Sequence, residues 1–92
     1  MLSINQRKYV NSLKQKKYRN QHQTFVVEGE KLVNELLESN FSVDEIYAVD
    51  SWDGVAGFTI VSDKDLSRIS QLKTPNKVVA VVNFPDEVEL GI

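Results

Sequence analysis

The sequence predicts an α/β fold with helices on both faces of a small, mostly parallel or mixed sheet, and three observations support it. Apolar residues follow helical and strand spacing in the order α-β-α-β-β-α-β. Two runs, Phe25-Val26-Val27 and Val78-Val79-Ala80-Val81-Val82, are apolar without alternation, the pattern of strands covered on both faces. The first run lies in Thr24 to Leu37, where a strand turns through Glu28-Gly29 directly into an amphipathic helix.

Each element follows from local chemistry. Ser3-Ile4-Asn5-Gln6 fits a capping box, so a helix should start at about Ile4. At 100° per residue, Leu2, Tyr9, Val10 and Leu13 share one arc able to face a core. Arg7, Asn11, Lys14 and Tyr18 fall on a neighbouring face, a basic stripe ending in an aromatic ring. Asn20 to Gln23 is polar without periodicity and reads as the connection into the strand Phe25-Val26-Val27. In the next helix Leu32, Val33, Leu36 and Leu37 form the apolar side, with Lys31, Asn34, Glu35 and Glu38 outside. Glu28 and Glu30 suit the positive end of that helix, Gly29 the tight turn, and Asn40 a left-handed stop.

Glu45 to Val49 is the second strand candidate. A turn at Ser51-Trp52-Asp53-Gly54, with a weak helix possible between Ser51 and Ala56, precedes a third strand at Phe58-Thr59-Ile60-Val61. Ser62 caps a short helix carrying Leu66, Ile69 and Leu72, which Thr74-Pro75-Asn76 breaks. Val78 to Val82 is the clearest strand, and its unbroken apolarity places it at the centre of the sheet. Residues 1–83 read as one domain and residues 84–92, acidic and containing Pro85, as the start of a linker.

Composition narrows the function. A chain of 92 residues supports one core and no second domain. Without cysteine there is no disulfide, thiolate nucleophile or sulfur-ligated metal, and a single histidine, His22, removes most other metal sites. The longest apolar run, Val78 to Val82, falls far short of the roughly 20 residues that span a bilayer. A soluble, cytoplasmic protein without membrane partners is therefore expected. The net charge of −2 conceals an asymmetry. Residues 1–27 carry six basic side chains and no acid, whereas the rest carries five basic against thirteen acidic ones. A lysine-rich, acid-free segment on an acidic body is the pattern of a polyanion-binding front end. A transit peptide is also basic and acid-poor, but this segment has only two serines, Ser3 and Ser12.

No catalytic apparatus is visible. Glu28-Gly29-Glu30 sets one glycine between two acids, which would repel a phosphate. Two residues apart on a helix, the two glutamates point to different sides and make no acid–base pair. His22 has no nucleophile beside it and reads as a solvated loop residue. Catalytic and metal residues are thus expected to be absent, and RNA binding falls to Arg7, Lys14 and Tyr18, with Lys16, Lys17 and Arg19 as a second cluster. Their cations would neutralise phosphates while the tyrosine offers a face to an unstacked base. Trp52 reads as a loop aromatic folded onto the body, and Lys73 and Lys77 as solvated charges beside the Thr-Pro turn. A stand-alone RNA-binding protein of ribosomal type and a protein-interaction module docking through its acidic body remain alternative readings.

Three blocks carry a family resemblance: Lys16-Lys17-Tyr18-Arg19, then Phe25-Val26-Val27-Glu28-Gly29-Glu30-Lys31-Leu32-Val33, then Thr74-Pro75-Asn76-Lys77 running into Val78 to Val82. In this order the chain resembles the N-terminal substrate-binding domain of the SpoU (TrmH-like) RNA ribose 2′-O-methyltransferases over about its first 83 residues. The resemblance implies a three-layer α/β/α sandwich with a mixed sheet of about four strands, like the ribosomal proteins that bind kink-turn RNA. It also implies a task, presenting structured rRNA or tRNA to a following domain that uses S-adenosylmethionine and forms a homodimer. That domain, with its cofactor and catalytic residues, has no counterpart in these residues. Many members carry Gln-Gly after the Thr-Pro; here Asn76-Lys77 puts a lysine side chain where a glycine would allow close backbone approach.

Overall fold

A computed structural model describes residues 2–52, 54, 57–72 and 77–84. The elements are α1 (Ile4–Ser12), α2 (Lys16–His22), β1 (Thr24–Glu28), α3 (Glu30–Leu37), β2 (Val43–Ala48), β3 (Thr59–Ile60), α4 (Asp63–Ile69) and β4 (Val78–Asn83). The four strands form one mixed sheet in the order β1-β4-β2-β3. β4 pairs antiparallel with both β1 and β2, and only β2 and β3 run parallel, so the sheet is more antiparallel than expected. The unbroken apolar run did mark the centre: Val78 to Val82 are all buried.

Strand alternation divides the core in two. Val79 and Val81 of β4, with Tyr47 of β2, face a cluster containing Val10 and Leu13 of the N-terminal region and Leu66 and Ile69 of α4. Val78, Ala80 and Val82, with Ile46 and Ala48, face the opposite cluster, built from Val33 of α3 and Trp52. The result is an α/β/α sandwich with α1 and α4 on one side and α3 on the other. A bulge between Val43 and Glu45 resets the alternation in β2, so Val43 packs with Ile46 although an odd spacing of three positions would set them on opposite faces. Trp52 is buried edge-on against Phe58, ring centroids 5.0 Å apart, as expected of an aromatic folded onto the body. Tyr47 is fully buried and donates its hydroxyl to Glu45. Burial first, then that hydrogen bond and the charges of Glu45 and Asp44, push its phenol well above the usual tyrosine range.

β1 sits at the sheet edge, yet both its faces are packed. Phe25 and Val27 lean on the α3 side, while Thr24, Val26 and Glu28 face α1 and α4. At one end of β1 the buried Thr24 hydroxyl meets the Tyr9 hydroxyl at 3.0 Å. At the other, the Glu28 carboxylate accepts from the Ser70 hydroxyl and the Gln71 backbone N–H, each at 2.6 Å. Glu28 therefore does not serve the α3 N-terminus, as its sequence position suggested; it ties the end of α4 to the sheet. Glu30 is the acid in the first turn of α3. Gly29 caps that helix at φ 104°, ψ 145°, a conformation open to glycine alone at little cost, and its N–H donates to the Val78 carbonyl.

Several expected boundaries shift. The α1 capping box forms, with the Ser3 and Gln6 side chains each accepting from the other's backbone N–H. The helix does not continue through Tyr18, however: it stops at Ser12, and a second one runs from Lys16 to His22. Leu13 is the last residue that reaches the core, and Lys17, where the next buried side chain would fall, is exposed. The connection to β1 shrinks to Gln23, left-handed at φ 59°, ψ 39°. α3 ends with Glu38 as its cap, so Asn40 is not a left-handed stop. Leu32, spaced as a core residue, is 56% exposed because it overhangs the edge beside β1. β3 is only two residues long, and α4 ends at Ile69, leaving Leu72 outside it. Lys73 with Thr74-Pro75-Asn76, Asp53 with part of the segment to Ala56, and all of the proposed linker except Phe84 lie outside the described residues.

Candidate nucleic-acid interface

The basic segment folds into a corner. α1 is anchored by Val10 and Leu13, each about 1% exposed. Beyond Leu13 the chain leaves the helix, and Gln15 is extended at φ −101°, ψ 133° before α2 begins. The Arg19 guanidinium closes the corner, one nitrogen donating to the carbonyls of Leu13 at 2.9 Å and Lys14 at 3.0 Å. Those carbonyls are the acceptors a helix end leaves without intrahelical donors. Arg19 thus spends a large part of its hydrogen-bonding capacity on the fold.

α2 buries no residue, and no side chain caps its N-terminus. Its first two positions are Lys16 and Lys17, both exposed, with no acid in the first turn. Cations at the positive end of a helix cost a few tenths of a kcal/mol rather than adding stability, so the helix dipole gives neither lysine a reason to stand there. Lys14 is exposed on the corner itself. Among the described residues the one ion pair is Arg68–Asp65 at 3.6 Å, so no carboxylate neutralises Lys14, Lys16 or Lys17.

The corner brings Lys14, Lys16, Lys17, Tyr18 and Arg19 together on consecutive backbone, while Arg7 stays in the middle of α1. The single stripe Arg7, Asn11, Lys14, Tyr18 does not form, because the helix that would align it ends at Ser12. Asn11 instead belongs to the α1–α4 contact, its amide donating to the Arg68 carbonyl at 3.0 Å. Tyr18 is half-buried, with the Lys17 ammonium 4.9 Å from its ring centroid.

His22, read from sequence as a loop residue, ends α2 and joins a row of rings. Its imidazole lies nearly parallel to Tyr18 (centroids 6.5 Å, planes 18° apart) and edge-on to Tyr9 (5.0 Å, 76°). The Tyr18–His22 spacing of four residues was the available signal, and it was lost by ending the helix before Asn20.

Comparison with known proteins identifies the family. A family described as the MRM3-like substrate binding domain matches residues 5–80. The chain belongs to that family. The 23S rRNA (guanosine(2553)-2′-O)-methyltransferase RlmP of Bacillus subtilis is 33% identical over 78% of this chain and 32% of its own length. A Porphyromonas gingivalis structure assigned to the TrmH family of RNA methyltransferases superposes with TM-score 0.79 at 34% identity, over 94% of this chain and 37% of that one. An rRNA methyltransferase from Sinorhizobium meliloti with bound AdoMet gives TM-score 0.73 at 23% identity, over 92% of this chain and 36% of that one, a likeness of fold. The chain therefore spans about a third of the length of these relatives. The MRM3-like fold here is the one the three sequence blocks implied. No helix among the described residues is long and apolar enough to cross a membrane.

Proposed function

We propose that this MRM3-like domain holds structured RNA for an RNA ribose 2′-O-methyltransferase, with Lys14, Lys16 and Lys17 contacting phosphates and Tyr18 beside them. The observation that carries this reading is the corner between α1 and α2, where three exposed lysines have no carboxylate partner among the described residues and the helix dipole disfavours Lys16 and Lys17. Arg7 adds a cation from α1, and Arg19 acts mainly by holding the corner's shape. The relatives' names supply the RNA class, rRNA in two of them.

Methyl transfer, S-adenosylmethionine and pairing into a homodimer belong in this reading to a further catalytic domain. An open cleft lined by Val49, Asp50, Ser51, Val61, Ser62 and Asp63 offers carboxylates and hydroxyls but, among the described residues, nothing basic for the cofactor's own carboxylate. It does not fit the cofactor, and no residue here is assigned to it.

Titration with a structured rRNA fragment at several salt concentrations tests the reading. Affinity should fall as salt rises, with each lysine lost from the interface lowering the log–log slope by about 0.7–0.9. A salt-independent affinity, or none, would instead favour an interaction module with a merely solvated basic corner. Incubation of the 92-residue chain with labelled S-adenosylmethionine and RNA should yield no methylated product.

A further inference from the structure

The geometry points to His22, held in line with Tyr18 by Tyr9, as a stacking site for one unpaired RNA base beside the lysine corner. This inference rests on the RNA-binding reading and adds what kind of nucleotide the corner takes.

A solvated histidine at the end of a short helix would ordinarily sample several rotamers. His22 is exposed, yet its ring has two aromatic neighbours, Tyr18 at 6.5 Å and Tyr9 at 5.0 Å. Tyr9 is fixed in turn: its hydroxyl meets Thr24, 2% exposed, at 3.0 Å, which ties the row to the first residue of the sheet's edge strand. Gln23, left-handed directly after His22, fixes the backbone on the other side. An exposed ring ordered in advance forms a stacking contact without losing rotamer freedom on binding, the loss that weakens most exposed aromatic contacts.

Surrounding charge decides what such a ring meets. The Lys17 ammonium stands 4.9 Å from the Tyr18 centroid, so Tyr18 is already engaged by a cation, and His22 is the more exposed ring of the row. No acidic residue occurs in residues 1–27, and Lys14, Lys16 and Lys17 lie within eight residues of His22. A flat π-face next to unneutralised lysines matches a nucleotide with its base out of the helix: base on the imidazole, phosphate toward the lysines. A fully paired duplex hides its base faces and would engage the lysines alone.

The test uses the 92-residue chain and two RNA hairpins, one with a single bulged adenosine and one fully paired. The unaltered chain should bind the bulged hairpin about tenfold more tightly, the size of one base–aromatic stack. His22→Ala should remove that difference and leave the salt slope unchanged, while His22→Phe, which keeps a flat ring, should retain it. Equal binding of both hairpins by the unaltered chain, or an undiminished difference in His22→Ala, overturns the stacking site; salt-dependent affinity in the same titrations leaves the RNA reading standing. Absence of salt-dependent binding to either hairpin overturns both.

Discussion

Helices α1 and α2 adjoin in the chain and share a positive charge, but opposite means hold them. α1 is capped by Ser3 and Gln6 and leads to two core side chains, Val10 and Leu13, that face Tyr47 and the β4 valines. α2 has no buried residue and no side-chain cap, carries lysines at its unfavourable end, and depends on Arg19 and the ring row for its position. Apolar spacing explains the first and says nothing of the second. α2 contributes no fully buried side chain to the core, and the proposed RNA contacts lie on it, whereas α1 contributes Val10 to the core.

The largest expected effect lies at the boundary between them. Leu13→Ala should cost about 2–5 kcal/mol of unfolding free energy in urea, since Leu13 is fully buried, whereas no alanine substitution in α2 should cost half as much. A comparable loss from Tyr18→Ala would erase the contrast. The reverse holds for binding. Lys16→Glu with Lys17→Glu should weaken RNA affinity by on the order of tenfold to a hundredfold, yet move stability by less than about 0.5 kcal/mol. Falling affinity with an equal fall in stability would make those lysines structural.

Alkaline pH probes the α1 side of the sheet through Tyr47. The folded-state pKa of Tyr47 is raised, so its contribution is complete below the unfolded value near 10 and is lost as pH climbs toward the folded one. The unfolding free energy should therefore fall above about pH 10, by at most ~1.4 kcal/mol per pH unit, and Tyr47→Phe should flatten that drop. An equal fall in both proteins would assign the loss to other groups. The smallest effect belongs to Arg19→Lys, which keeps the charge and loses the planar fork. It should cost about 1 kcal/mol of stability with little change in salt slope, and a lowered slope would make Arg19 a phosphate contact after all.

Elements built from near neighbours were legible in the sequence: the Ser3–Gln6 box, the Gly29 turn into α3, the Ser62 cap and the β4 run each follow from residues close along the chain. What was not legible depends on partners far away. Glu28 resembles a helix-capping acid until Ser70, 42 residues later, is brought to it. Leu32 keeps perfect helical spacing but overhangs the sheet edge, a fact set by the strand order rather than by α3. Of the proposed site, the sequence shows the charge pattern and not the shape. A continuous helix was the simplest reading of Arg7 to Tyr18, and the break after Ser12 hid the alignment of Tyr18 with His22.

The strand order also sets a timetable for synthesis. β4 is the last strand among the described residues and stands between β1 and β2, which are paired to it and not to each other. A nascent chain that has emerged only through α4 has two of its longer strands made and nothing to join them, apart from the two-residue pairing of β2 with β3. Folding therefore waits for Val78 to Val82, and the domain closes as a unit when that segment leaves the ribosome. A chain cut after Lys77 should show neither a cooperative unfolding transition nor protected amides in β1, whereas native-like protection there would mean that the first three strands organise without their centre.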